Sequence, residues 1–116
     1  MTSMLVIKDW ATEKRRALGA TEIVSGLSRV GGWKLTGDGN DVAIEKTFSF
    51  ANYFETIAFV NALALIAHRQ GHHPDLSEHY DRCVVRFNTH DVAGISTTDL
   101  ECASQTNALL APATSS

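Results

Sequence analysis

The stretch from residue 51 to 70 constrains the fold of this 116-residue chain more than any other. Its apolar residues recur at helical spacing and cover most of the circumference of the predicted helix: Tyr53, Phe54, Ile57, Phe59, Val60, Leu63, Leu65 and Ile66. A surface helix normally carries one apolar stripe. This helix needs cover on several sides, so we expect a sheet against one side and another helix or a second copy of the chain against another.

Strands are predicted before and after this helix. Residues 33–35 and 42–50 flank the turn-forming residues Gly-Asp-Gly-Asn at 37–40, a pattern typical of a β-hairpin. After the helix, residues 76–80 form a short strand candidate. Residues 82–88 alternate apolar and polar side chains, as a half-buried strand does.

Helices are predicted at both ends of the chain. One begins at Thr12 and stops at Gly19, and a second begins at Thr21 and ends at the two glycines that follow Val30. Ser96 and the acidic residue three positions later have the form of a capping box for a final helix. The order helix, two strands, helix, two strands, helix predicts an α+β, two-layer domain in which helices cover one face of a four-stranded antiparallel sheet.

A chain of this length has room for one domain. We assign residues 21–111 to that domain, residues 1–20 to an N-terminal extension without an assigned structure, and residues 112–116 to a disordered tail. The N-terminus lacks a signal-peptide apolar block, and the longest apolar run is too short to span a bilayer. We therefore expect a cytoplasmic protein that does not bind membranes.

The charged residues and cysteines narrow the functional classes. A net charge of -3 argues against non-specific nucleic-acid binding. The basic cluster Lys14-Arg15-Arg16 is expected on a solvated helical face. Cys83 and Cys102 fall at core-facing positions, so we expect buried free thiols in a reducing compartment.

Three of the five histidines lie in two segments that also contain turn-forming residues. Gly71 suits the left-handed position just past a helix end, and Pro74 favours an extended conformation for His73. His90 follows the last predicted strand. Because a helix exit and a strand exit can lie at the same end of a two-layer domain, His72, His73 and His90 are candidates for one cleft.

Imidazole can both donate and accept a proton near neutral pH, so such a cleft could supply a general acid and a general base. The carboxyl end of a helix favours the imidazolium form, which makes His72 or His73 the better candidate for the proton donor. Spacing alone leaves open a metal site, and also turn histidines without chemistry. A metal site is disfavoured because no ligand type recurs at helical spacing, and nucleophilic catalysis because no serine lies in a nucleophile-elbow pattern.

A seven-point pattern at fixed spacing connects the two histidine segments: His68-x3-His72-His73-Pro74-x5-Tyr80-x9-His90-x8-Asp99. The block at residues 89–96, Thr-His-Asp-Val-Ala-Gly-Ile-Ser, adds to it. From about residue 33 to residue 110, the chain resembles the pterin-4a-carbinolamine dehydratases. This family removes water from a tetrahydropterin with a hydroxyl at C4a, giving the quinonoid dihydropterin, and so recycles the cofactor of aromatic amino acid hydroxylases. The resemblance implies a hydro-lyase that needs no metal, nucleotide or organic cofactor.

The resemblance also implies the site residues. The catalytic trio would be His72, His73 and His90, and the residues lining the pterin pocket would be His72, His73, Pro74, Thr89, His90, Asp91 and Val92. His68, where many relatives carry an acidic residue, and Tyr80 are further candidates for substrate contact. Asp99 has two expected roles, as the cap of the last helix and as an orienting partner of His90.

Two other functions remain open: a non-catalytic dimerisation or assembly partner on the same fold, and an enzyme of another pterin pathway. The presence of all three histidines favours the dehydratase. The apolar helix at residues 51–70 predicts a homodimer or homotetramer. The family's reaction implies an aromatic amino acid hydroxylase as a further partner.

Overall fold

A computed structural model of the chain describes residues 15–110. The predictions for residues 1–14 and 111–116, which include most of the extension and the tail, lie outside the described residues. Within residues 15–110, helices and strands follow in the predicted order: α1 Ala20–Leu27, β1 Lys34–Thr36, β2 Ala43–Ser49, α2 Tyr53–Gln70, β3 Asp75–Glu78, β4 Arg82–Phe87 and α3 Thr97–Ala108. The predicted α+β class is confirmed.

The four strands form one antiparallel sheet in the order β1-β2-β4-β3. The central strands β2 and β4 pair Ile44 with Phe87 and Phe48 with Cys83. Because side chains alternate along a strand, this register places these four buried side chains on one face of the sheet. Val85 is fully buried on the same face, so the alternation predicted for β4 is confirmed.

A capping residue marks each end of helix α2. The Asn52 side chain accepts a hydrogen bond of 2.9 Å from the N–H of Glu55 at the start, and Gly71 ends the helix with φ 61° and ψ 34°. Phe59, on the buried side of α2, packs against Phe48 with ring centroids 4.8 Å apart. Phe54, on the opposite side, remains 81% exposed. Within residues 15–110 no helix is both long enough and apolar enough to cross a membrane.

The prediction of a helix that stops at Gly19 is wrong for its described part, because residues 15–19 form no helix. Helix α1 begins at Ala20, just before the predicted cap at Thr21. Residues 15–18 are held by tertiary contacts instead, among them a hydrogen bond of 2.7 Å from the N–H of Leu18 to the carbonyl of Ile95. A basic and alanine-containing sequence is compatible with a helix, but contacts made by the rest of the domain override that preference.

A side-chain pair precedes and caps α1. Arg16 donates hydrogen bonds of 2.9 and 2.8 Å to the Glu22 carboxylate, which also accepts one from the N–H of Gly19 at 2.9 Å. The hydrogen bonds from Arg16 and, to a smaller extent, from Gly19 stabilise the carboxylate and lower the pKa of Glu22 to about 2. Arg16 is therefore engaged on the outside of the domain, at the start of α1.

Candidate active site

The end of α2 fixes the direction in which His72 leaves the helix. The N–H of Gly71 donates to the carbonyl of His68 at 3.2 Å, and the N–H of His72 donates to the carbonyl of Ala67 at 3.1 Å. The second bond requires the left-handed conformation of Gly71, which the sequence predicts. His72 and His73 therefore follow a rigid helix end.

The second histidine segment is a tight loop after β4. Thr89 and Gly94 pair through two backbone hydrogen bonds of 2.8 and 3.4 Å, which close the loop. Between them His90–Val92 form a single 3-10 turn, and Ala93 has the left-handed φ of 51°. The loop leaves His90 exposed to solvent.

These two segments form the walls of one open cleft of about 210 Å³. The residues that line it are Arg15, Gly71, His72, His73, Asn88, His90 and Asp91. The three histidines predicted from the sequence therefore come together in the fold. His73 and His90 are exposed at the cleft, whereas His72 is buried in its wall.

A buried carboxylate holds His72. Nε2 of His72 lies 2.5 Å from Oδ1 of Asp99, and the Asp99 side chain is 0% exposed. Oδ2 of Asp99 accepts hydrogen bonds from the N–H of Ser96 at 2.9 Å and from the hydroxyl of Thr89 at 2.7 Å. Since a carboxylate oxygen is a hydrogen-bond acceptor, Nε2–H of His72 donates to Asp99, and this contact fixes the orientation of the ring.

Stacking fixes the plane of the same ring. The His72 ring lies nearly parallel to that of Phe87, with centroids 6.0 Å apart and an interplanar angle of 12°. Phe87 is the last residue of β4 and is fully buried. The end of α2, the Asp99 carboxylate and the Phe87 ring together restrict the position and orientation of the His72 ring. His73 and His90, in contrast, are exposed.

Sequence reasoning missed Arg15 as a cleft residue. Its Nη2 donates to the carbonyl of Gly71 at 3.4 Å, and its Nη1 lies 3.7 Å from the Asp91 carboxylate. The side chain is only 15% exposed, unlike the solvated position expected for the basic cluster. Only the tertiary path of residues 15–18 brings it here, and the sequence carries no local signal for that path.

Asp99 and Thr89 lie behind the cleft rather than in it. Asp99 has the predicted position at the start of α3, but the ring it contacts is that of His72 and not His90. Thr89 is fully buried, and its hydroxyl serves the Asp99 carboxylate. The structure therefore places both residues where they position the cleft wall, although Thr89 was expected to line the pocket.

The structure does not bring Tyr80 to the cleft of the same chain. The hydroxyl of Thr56, near the start of α2, donates to the carbonyl of Tyr80 at 3.0 Å. Helix α2 has 18 residues and, at about 1.5 Å per residue, is roughly 27 Å long, so Tyr80 lies at the far end from His72. Pro74 and Val92 are next to cleft residues in sequence, and His68 is three residues before Gly71, but none of the three is among those that line the cleft.

Comparison with known protein families gives one match over most of the chain. The model of the family described as pterin 4 alpha carbinolamine dehydratase matches residues 16–109. A protein of Paracidovorax citrulli (strain AAC00-1) is 68% identical over 110 residues, which are 95% of each chain. A protein of Stenotrophomonas maltophilia (strain K279a) is 53% identical over 92 residues, 79% of this chain and 78% of that protein. Both carry the provisional name pterin-4-alpha-carbinolamine dehydratase.

Solved structures agree on the fold. The crystal structure of a transcriptional coactivator/pterin dehydratase from Brucella melitensis matches with a TM-score of 0.77 and 27% identity, covering 83% of this chain and all of that one. A pterin dehydratase-like protein identified as a RuBisCO assembly factor in the alpha-carboxysome matches with a TM-score of 0.57 and 24% identity. That match covers 67% of this chain and 88% of the other, and it concerns the fold alone.

We expect Asp99→Asn to lower the free energy of unfolding by about 1–3 kcal/mol, because the amide nitrogen replaces an acceptor that faces buried donors. Urea denaturation measures the change. Asp81→Asn is the matched control, since Asp81 is exposed and lies 3.7 Å from Arg82 at the surface. Equal small losses in the two variants would contradict a supporting role for Asp99.

Proposed function

Because the chain belongs to the pterin 4 alpha carbinolamine dehydratase family, we propose that it dehydrates a tetrahydropterin that carries a hydroxyl at C4a. The product is the quinonoid dihydropterin, so the reaction recycles the cofactor of aromatic amino acid hydroxylases. The observation that carries the proposal is the convergence of His72, His73 and His90 on one cleft.

The reaction requires two proton transfers at neighbouring atoms. The bond between C4a and the hydroxyl oxygen breaks, and the departing oxygen takes a proton and leaves as water. N5 loses its proton, and its electrons form the C4a–N5 double bond. One imidazolium and one neutral imidazole supply these two transfers, with the acid ending as base and the base as acid.

We assign the two proton transfers to His73 and His90, whose rings are exposed at the cleft. His72 is buried, and its Nε2 is engaged by Asp99. Its proposed part is to hold the substrate, through Nδ1 and through a ring whose plane is fixed. Accurate placement of a substrate against acid and base contributes to the rate as much as the groups themselves.

Other cleft residues fit the amino-pyrimidinone edge of a pterin, which has both donors and acceptors. Asp91 has an exposed carboxylate that can accept hydrogen bonds from ring and amino N–H groups, and the Asn88 amide can both donate and accept. The family resemblance leads us to expect an acidic residue at position 68, but this chain has a histidine there. We propose that Asp91 provides the carboxylate at this edge of the site.

A second feature supports association between copies of the chain. An apolar groove of about 330 Å³ runs between the first half of α2 and the residues that follow α3. The residues that line it are Phe50, Phe54, Glu55, Ala58, Phe59, Ala62, Leu109 and Leu110. With Phe54 81% exposed, we propose this groove as the contact of a homodimer or homotetramer.

The same groove supports the alternative function, a dimerisation or assembly partner for another protein. The Brucella melitensis relative is described as both a transcriptional coactivator and a pterin dehydratase. The groove lies near the start of α2 and the cleft follows its end, so one chain has room for both roles. An enzyme of another pterin pathway would use the same cleft with a different ring substituent.

We expect His73→Ala and His90→Ala each to lower kcat by more than about tenfold, because each removes one partner of the acid–base pair. The assay follows the decay of the ultraviolet signal of the 4a-hydroxypterin made by an aromatic amino acid hydroxylase. His79→Ala is the control, since His79 is exposed and lies beside Tyr80, at the other end of the domain. Unchanged turnover in both cleft variants would remove these histidines from the mechanism.

We expect Phe54→Glu to shift the protein toward the monomer in sedimentation velocity, because a charge would replace the exposed ring at the proposed contact. Val24→Glu is the control, since Val24 is a 69% exposed apolar residue on α1, outside the groove. A wild-type chain that sediments as a monomer at high concentration would contradict the proposed contact.

A further inference from the structure

The described chain begins with a segment that runs along the loop carrying His90. The N–H of Leu18 donates to the carbonyl of Ile95 at 2.7 Å. Cβ of Ala17 lies so close to Gly94 that a methyl group on that glycine would be 3.5 Å from it. The side chain of Arg15 then continues along the loop into the cleft.

Arg15 lies between the two histidine segments and contacts both. Its Nη2 donates at 3.4 Å to the carbonyl of Gly71, which directly precedes His72. Its Nη1 lies 3.7 Å from the carboxylate of Asp91, which directly follows His90. The Arg15 side chain is 15% exposed and the Asp91 side chain 78% exposed, so water screens the ion pair with Asp91 more than the hydrogen bond to Gly71.

Contacts therefore connect the two histidine segments both in the buried interior and at the opening of the cleft. On the buried side, His72 contacts Asp99, which accepts a hydrogen bond from Thr89 in the other segment. On the open side, Arg15 connects Gly71 with Asp91. Because the two sets of contacts lie at different depths, together they restrict both the distance and the angle between the segments.

We infer that Arg15 is a positioning residue, which holds His90 at a fixed distance from His72 and His73 through its contacts with Gly71 and Asp91. The planar guanidinium can reach both partners with separate nitrogens, which a lysine ammonium does not reproduce. Its kinetic consequence rests on the proposed dehydratase function, and its structural consequence does not. Displacing a reacting group by about 1 Å can cost on the order of 100-fold in rate.

The kinetic test compares Arg15→Ala and Arg15→Lys in the full chain with Arg16→Ala. Arg16 is the matched control, because it is the adjacent arginine and pairs with Glu22 at 2.8 Å instead of lining the cleft. We expect Arg15→Ala to lower kcat about tenfold, with a smaller increase in KM because Arg15 also holds Asp91 at the proposed binding edge. Arg15→Lys should restore only part of this loss, and Arg16→Ala should behave as wild type.

The structural test needs no activity. The N–H groups of Val92 and Ala93 donate to the carbonyls of Thr89 and His90 at 3.2 and 3.0 Å and close the turn beside Asp91. We expect their hydrogen exchange to be at least about tenfold faster in Arg15→Ala and unchanged in Arg16→Ala. If the wild-type chain does not dehydrate the 4a-hydroxypterin, the proposed function fails while this exchange measurement still decides the inference.

Three results would overturn the inference. Exchange at Val92 and Ala93 that is the same in Arg15→Ala as in wild type would mean that Arg15 does not hold the loop. An increase in KM at constant kcat would make Arg15 a substrate-binding residue instead. Full recovery of kcat in Arg15→Lys would mean that positive charge alone is needed.

Discussion

The candidate site depends on one buried carboxylate. Removing an ionised side chain from water costs several kcal/mol unless hydrogen bonds replace the lost solvation. Asp99 is fully buried and accepts hydrogen bonds from the N–H of Ser96, the hydroxyl of Thr89 and the ring of His72. Its position in the first turn of α3 also places negative charge near the positive end of that helix.

Asp99 therefore connects three parts of the chain: the start of α3, the exit of β4 and the exit of α2. An apolar residue at this position would leave the N–H of Ser96, the hydroxyl of Thr89 and Nε2 of His72 in need of other partners. The arrangement divides the histidines into one that is fixed by the fold and two that are exposed to a ligand. A rigid wall with two exposed proton carriers is suited to acid–base chemistry on a flat ring.

The features that could be predicted from the sequence are those set by local chemistry. The alternation along β4 identified its buried face, because side chains of a strand alternate strictly. The left-handed Gly71 followed from its place between a helical pattern and Pro74. Convergence of His72 and His90 required only that two elements end on the same side of a two-layer domain.

The features that could not be predicted are set by tertiary packing. Capping-box spacing identified Asp99 as a helix cap through Oδ2. The packing of α2 against α3 decides which histidine ring contacts Oδ1, and the sequence does not show that packing. The path of Arg15 along the loop has no periodic signal, and the basic cluster favoured a helix in the wrong place. Tyr80 was assigned to the pocket by its spacing in a motif, although the length of α2 separates it from His72.

The most direct measurement of the central claim is a crystal structure of the protein with a stable pterin analogue. The account predicts that the bicyclic ring lies in the cleft, with N5 and the position of the 4a-hydroxyl oxygen within hydrogen-bonding reach of the rings of His73 and His90 and with His72 against its face. A pterin bound elsewhere, for example in the apolar groove beside Phe54, or histidine rings turned away from it, would contradict the account.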